Sequence, residues 1–153
     1  MPSPVTVSID VPLPRDQVFE FLDAMANHEP FNDHLMRDWE LSGPARGVGS
    51  AATVRTRALG ISDVVDIEVT ESDPPHRLVE RNTARKAGRV GQGTYTLEPL
   101  DDGGTRIVFE FAWVVTPTID RITAPLARSF IRRNNQRAMR HLADLLAERT
   151  ASH

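Results

Sequence analysis

Glu80 and Asn82, a carboxylate and a carboxamide, lie two residues apart in the β-like run from Arg77 to Thr83. Side chains alternate along a strand, so both share the face of Leu78, while Arg81 and Thr83 share the opposite face with Val79. If Leu78 points inward, Glu80 enters an apolar interior. Burial there disfavours the charged carboxylate, raises its pKa and equips it for general acid or base work. The competing reading is an edge register that leaves Glu80 in water. Tyr95, further along the chain, carries a hydroxyl that needs a partner when buried.

His28 and His34 flank Phe31, near what would be an opening after the first helix, and Asp33 adjoins His34. An imidazole beside a carboxylate can transfer protons near neutral pH. The same residues also read as ordinary polar loop positions. Glu80, Tyr95 and His34 are thus the catalytic candidates. No serine nucleophile motif surrounds them, and the chain has no cysteine, which removes thiolate nucleophiles, disulfides and zinc–sulfur sites together. The loop set His28, Glu29, Asp33 and His34 matches no established ligand spacing such as His-Glu-x-x-His, so no metal is expected. His76 and His141 read as surface positions. Gly91-Gln92-Gly93-Thr94 lacks the strand–loop–helix context and the lysine of a Walker phosphate loop. Glycines inside a strand more often permit a bend or the close approach of a neighbouring chain. No cofactor is expected.

These residues need elements to hold them. Val5, Val7, Ile9 and Val11 alternate with polar residues in a half-buried first strand, ended by Pro12 and Pro14. Pro14 stands where a helix begins, with Val18, Phe19, Phe21 and Leu22 on its apolar side. A short helical or irregular stretch follows over Asp23 to Asn32. Trp39 and Leu41 belong to a short strand that stops at Gly43-Pro44, and a turn-rich connection runs on to Gly49. Ala52 to Leu59, the Val65–Val69 alternation up to Pro74-Pro75, Arg77 to Thr83 and Gly93 to Leu97 read as further strands, with a basic hairpin tip at Arg85 to Gly88. Asp101-Asp102-Gly103-Gly104 is a hairpin turn into Thr105 to Trp113, which places Ile107, Phe109, Phe111 and Trp113 on one face.

After Pro117 a long amphipathic helix carries Ile119, Ile122, Leu126, Phe130, Ala138, Leu142 and Leu145 along one side. Asn134 sits in the middle of that side, which marks it as the wall of a ligand cavity. Tight turns between consecutive strands imply an antiparallel meander, and its apolar face needs a cover that only the last helix is long enough to supply. The expected class is α+β: a curved antiparallel sheet of about seven strands around a long C-terminal helix, with two short helices after the first strand. Trp39, Val54, Thr56, Val65, Ile67, Val69, Tyr95, Leu97, Phe109, Phe111 and Trp113 would face inward from the sheet, opposite Phe130, Asn134 and Ala138. They either pack on one another or enclose a ligand.

The 153 residues suit one domain, and 40% hydrophobic with 25% charged residues is ordinary for a soluble globular chain. The N-terminus has no basic and apolar signal pattern, and no apolar run spans a bilayer, so a cytoplasmic location is expected. A net charge of −3 gives no field for nucleic acid. Arginine is concentrated late, at Arg121, Arg128, Arg132, Arg133, Arg137, Arg140 and Arg149, of which Arg133, Arg137 and Arg140 share a helix side. That side either docks an acidic carrier protein or an anionic lipid surface, or is simply a solvated face.

The order of elements resembles the helix-grip proteins of the START/Bet v 1-like (SRPBCC) superfamily, in particular its bacterial polyketide cyclase/dehydrase and lipid-transport group. The resemblance covers nearly the whole chain, 1–153, as one domain. It is carried by Pro14-Arg15-Asp16-Gln17-Val18-Phe19-Glu20-Phe21-Leu22, by Trp39 through the Gly-Val-Gly turn at Gly49, by Asp73-Pro74-Pro75-His76-Arg77-Leu78, and by the helix ending His141-Leu142-Ala143-Asp144-Leu145-Leu146. It implies a deep cavity between sheet and helix that takes lipids, sterols, polyketides or aromatic metabolites. Trp39, Val54, Thr56, Ile67, Asn82, Tyr95, Phe109, Phe111, Trp113, Phe130 and Asn134 are the expected ligand-binding residues. Members include carriers, plain binders and enzymes, so two functions stand open: carriage of a small hydrophobic ligand, or cyclase/dehydrase-type catalysis in the same cavity.

Overall fold

A computed structural model describes residues 3–58, 60–116 and 124–151. The seven strands are β1 (Val5–Val11), β2 (Met36–Ser42), β3 (Ala51–Ala58), β4 (Ile61–Asp73), β5 (Arg77–Ala84), β6 (Val90–Pro99) and β7 (Thr105–Val115). They form one antiparallel sheet in the order β1-β7-β6-β5-β4-β3-β2. Helix α1 (Arg15–Leu22), a 3-10 turn (Met25–His28) and the single-turn α2 (Glu29–Asn32) follow β1, and α3 (Ala124–Ala151) closes the fold. Leu59, Pro117, Ile119, Arg121 and Ile122, all used in the sequence reading above, lie outside the described residues.

Hairpins join β2 through β7 in sequence, so each strand lies beside the next. The first strand pairs with the last, Val5 opposite Phe111 and Val11 opposite Thr105. This places β5 at the centre of the sheet, which removes the edge reading of Glu80. The hydroxyl of Thr105, fully buried, donates to the Leu13 carbonyl at 2.7 Å and fastens the exit of β1 to the start of β7.

Val18, Phe19, Phe21 and Leu22 bury one side of α1, as their spacing predicts. Together with Met25, Phe31 and the inward sheet residues they form the core. Helix α3 joins that core through Ala138, Met139, Leu142 and Leu146, each 5% exposed or less. Leu126 departs from the expected stripe and is 64% exposed. The buried positions 138, 139, 142 and 146 recur at three and four residues, whereas Leu126 lies beyond the reach of the core. Leu145 is partly buried against it. Arg149 covers the Phe21 ring, its guanidinium carbon 5.1 Å from the centroid. Among the described residues no helix is long and apolar enough to cross a membrane.

Candidate functional site

Between the inner face of the sheet and the wall made by α2 and α3 lies a cavity of about 230 Å³. Strands β2 to β7 contribute Trp39, Thr56, Ile67, Asn82, Tyr95, Phe109 and Phe111, and α3 contributes Phe130 and Asn134. The sequence pattern anticipated each of these placements because periods of 2 and 3.6 put them on inner faces. Two expected residues lie elsewhere. Val54 is 0% exposed and belongs to the solid core. Trp113 stands edge-on to Phe111, with centroids 5.2 Å apart, and is not part of the lining. It sits near the end of β7, where the strand leaves the core and Val114 and Val115 become exposed.

Glu80 and Asn82 both line the cavity. Across the sheet Glu80 faces Val69 on β4 and Gly93 on β6, neither of which offers a polar side chain. It is 6% exposed, and its Oε2 has no hydrogen-bond partner. Desolvation raises its pKa to about 7. Gly93 makes room for it. A Cβ there would stand 2.9 Å from the Phe109 ring and 3.2 Å from the Glu80 side chain. The glycines of β6 thus admit the flat approach of the β7 aromatic rings rather than any phosphate.

His28 is the residue that sequence reasoning misplaced. The loop position expected near an opening is a buried ring, 2% exposed, in the cavity lining. Its Nε2 lies 2.6 Å from the Leu22 carbonyl. A carbonyl only accepts, so Nε2 carries the proton and the neutral ring turns its Nδ1 lone pair toward Glu80, whose Oε2 is 3.8 Å away. Burial pushes the imidazole pKa down, against the opposing pull of the Leu22 carbonyl and Asp23. Tyr95 stands edge-on to His28 at 5.8 Å and packs on Phe109 at 4.6 Å. Its pKa is pushed well up by burial, and further by the nearby Glu80 charge. Glu80, His28 and Tyr95 therefore form a buried cluster of titratable groups in which desolvation favours the protonated carboxyl and the neutral imidazole. The available signal was the spacing of Met25 and His28, since residues three apart eclipse on a 3-10 turn.

Asn134 donates its amide to the Phe130 carbonyl at 2.8 Å, which leaves its side-chain oxygen as the group to meet a ligand. Asn32 and Asn135 also line the cavity and were not anticipated. Asn135 lies four residues after Ile131 and four before Met139, both in the lining, so helix periodicity contained that signal. Three buried polar atoms of the lining have no partner: Glu80 Oε2, Asn82 Oδ1 and Asn135 Nδ2.

His34 does not reach the cavity. It lines a larger, open outer groove of about 750 Å³ together with Arg37, Asp38, Arg55, Arg57, Asp63, Arg85 and Lys86. Cavity and groove share Leu35 and Thr56. The groove is bordered by charged, exposed side chains, several of them already paired, as Arg85 is with Asp66 and Arg55 with Asp38. His141, expected at the surface, is half-buried and edge-on to His34 at 5.4 Å. His76 is exposed, 3.8 Å from the Asp73 carboxylate. Arg133, Arg137 and Arg140 lie along one side of α3, all three exposed, while Arg128 is drawn to the Ser3 carbonyl. One group of metal-ligating side chains comes together among the described residues, Asp33, His34 and His141, outside the cavity.

Comparison with known proteins agrees with this architecture. A family model described as polyketide cyclase / dehydrase and lipid transport matches residues 4–147. Among solved structures, TTHA0849 from Thermus thermophilus superposes with a TM-score of 0.75 at 18% identity, covering 95% of this chain and 99% of that one. The Zhui aromatase/cyclase from Streptomyces sp. R1128 gives 0.75 at 15% identity, covering 98% and 96%. Ara h 8.0201 gives 0.66 at 13% identity, covering 95% and 98%. At these identities the likeness is one of fold. No curated protein matches the sequence.

Proposed function

The chain belongs to the polyketide cyclase/dehydrase and lipid transport family, and on that footing we propose that it binds a small, mainly apolar ligand carrying a carbonyl or hydroxyl group. The observation that carries this reading is the set of unpaired polar atoms, Glu80 Oε2, Asn82 Oδ1 and Asn135 Nδ2, inside an otherwise aromatic and aliphatic cavity. Buried polar groups almost always find partners, and a ligand's own polar groups or ordered water would complete these. The apolar lining supplies affinity by burying ligand area, and the polar atoms orient the ligand. A volume of about 230 Å³ falls below the roughly 300–1,000 Å³ of drug-sized sites. A compact ring system or a short acyl chain fits it, with any longer part leaving past Leu35 and Thr56 toward the outer groove. If a partner delivers the ligand, the side of α3 that carries Arg133, Arg137 and Arg140 is where an acidic carrier protein or an anionic lipid surface would dock.

The experiment is native mass spectrometry of freshly purified protein, followed by titration of small aromatic ketones against tryptophan fluorescence. Trp39 lines the cavity and Trp113 does not. Ligand entry should therefore quench a signal that Trp39→Phe removes and Trp113→Phe leaves. No bound mass, together with no quenching by any ketone tried, refutes the proposal.

A second reading, catalysis of the cyclase/dehydrase type, is favoured by the Glu80–His28 pair. A carboxyl that titrates at about 7 can take a proton from an activated carbon and return one to a leaving hydroxyl. Glu80 itself holds the proton between the two steps, because burial favours its neutral form, with the neutral His28 ring 3.8 Å away. Turnover that survives both Glu80→Gln and Tyr95→Phe would eliminate this version while leaving the binding reading intact.

A further inference from the structure

Where α2 ends against the middle of α3, Asp33, His34 and His141 converge, with one ligating atom from each lying within 4.8 Å of the others. None of the three lines the cavity, so the proposed ligand does not use them. His34 is set up in a particular way. Its Nε2 lies 3.2 Å from the Asn134 carbonyl, which fixes the proton on Nε2 and leaves Nδ1 with a free lone pair. That Nδ1 is buried and has no hydrogen-bond partner. An imidazole tied through one nitrogen to a backbone carbonyl, with the other nitrogen an unsatisfied acceptor, has the second-sphere arrangement of metal-ligating histidines.

We propose that Asp33, His34 and His141 bind a divalent transition-metal ion of the zinc type at the junction of α2 and α3. Two imidazoles and one carboxylate suit such an ion, whereas magnesium and calcium prefer all-oxygen sets. Three protein ligands leave a coordination position for water. Neighbouring ligands around a tetrahedral zinc stand about 3.3 Å apart, given bonds of about 2.0–2.1 Å. Side-chain rotation at exposed Asp33 and half-buried His141 closes the remaining gap. Arg137 acts on His34 with a charge that opposes a cation, and Asp33 acts with the opposite sign. Helix α2 also carries Asn32 of the cavity lining, and α3 carries Asn134 and Asn135. The ion would clamp together the two elements that wall one side of the cavity.

Cobalt(II) is the probe, titrated into the full chain after treatment with a chelator. The expected result is a set of visible ligand-field bands that saturate at a single site, vanish when zinc is added, and accompany a zinc-dependent rise in Tm of several degrees. His141→Gln, and separately Asp33→Asn, should weaken cobalt binding at least about tenfold, while His76→Gln leaves it unchanged. Asp33 is exposed, so its variant keeps the fold even if His141→Gln does not, and circular dichroism monitors both. Absence of ligand-field bands, or bands that persist at the same affinity in folded Asp33→Asn, overturns the proposal. Equal loss in His76→Gln overturns it as well.

Discussion

Replacing Glu80 with glutamine should make the protein more stable, and by an amount that depends on pH. The carboxyl is buried, its Oε2 lacks a partner, and it titrates at about 7 in the fold against an ordinary 4.5. At 1.36 kcal/mol per pH unit, that displacement destabilises the native state by about 3 kcal/mol once the pH exceeds both values. Between them, the folded protein holds a proton that the unfolded chain has released, so stability falls as pH rises. Below 4.5 both states are protonated and the penalty vanishes. Glutamine has the same shape and never ionises. Wild type and variant should therefore be nearly equal at about pH 5 and differ by about 3 kcal/mol at about pH 8.5. In a domain of this size that is a Tm difference on the order of 6–12 °C. Urea unfolding followed by circular dichroism across the range measures it. Asp10, Asp63 and Asp66, whose pKa values are lowered, contribute stability that is present above 3.8 and lost only below it. His28, also lowered, contributes stability that is lost as pH falls below 6.5. A difference that is constant with pH refutes the assignment of a raised carboxyl. A less stable variant at about pH 8.5 refutes it differently: the pair would then be an ion pair, and the substitution would strand a buried imidazolium.

Other outcomes follow from single contacts. Gly93→Ala sets a Cβ 2.9 Å from the Phe109 ring and should destabilise by about 1–3 kcal/mol in the same urea assay; a neutral result would mean that the ring has room to move. Thr105→Val leaves the Leu13 carbonyl without its 2.7 Å donor, and a loss of about 1–3 kcal/mol is expected. Leu126→Gln, at 64% exposed, should change stability by less than about 0.5 kcal/mol, whereas a core position would show several times that. Tyr95→Phe should keep the ring stack on Phe109 yet weaken binding of a carbonyl-bearing ligand about tenfold in the Trp39 quenching titration, if the hydroxyl orients it.

Much of this molecule is written in local pattern. Alternation along β1, β4 and β7 placed Val7, Ile67 and Phe109 on the inner face, and the turn at Asp101–Gly104 joined β6 to β7 as expected. The α1 stripe and the closing helix were legible from residue spacing. Nine of the expected ligand-binding residues, Trp39, Thr56, Ile67, Asn82, Tyr95, Phe109, Phe111, Phe130 and Asn134, line one cavity. Val54 and Trp113 share the same alternation and still lie elsewhere, because alternation fixes a face but not depth along a curved sheet. Leu126 failed for a related reason: helix period says which side a residue occupies, not whether the partner sheet extends that far.

The sequence alone determined the faces, because they follow from backbone periods of 2 and 3.6 that every residue obeys wherever it folds. It also determined that Glu80 and Asn82 travel together. Tertiary structure decided whether that face meant water or interior: β4 and β6 flank β5 on both sides, and the wall of α2 and α3 covers its inner face. The same packing over the sheet decided the protonation chemistry. Glu80 and His28 are 52 positions apart in the sequence, and nothing local announces that one will stand 3.8 Å from the other. A raised carboxyl pKa is a property of the surroundings, of lost water and of neighbours that offer no charge. Those surroundings exist only once the sheet has curved around the helix.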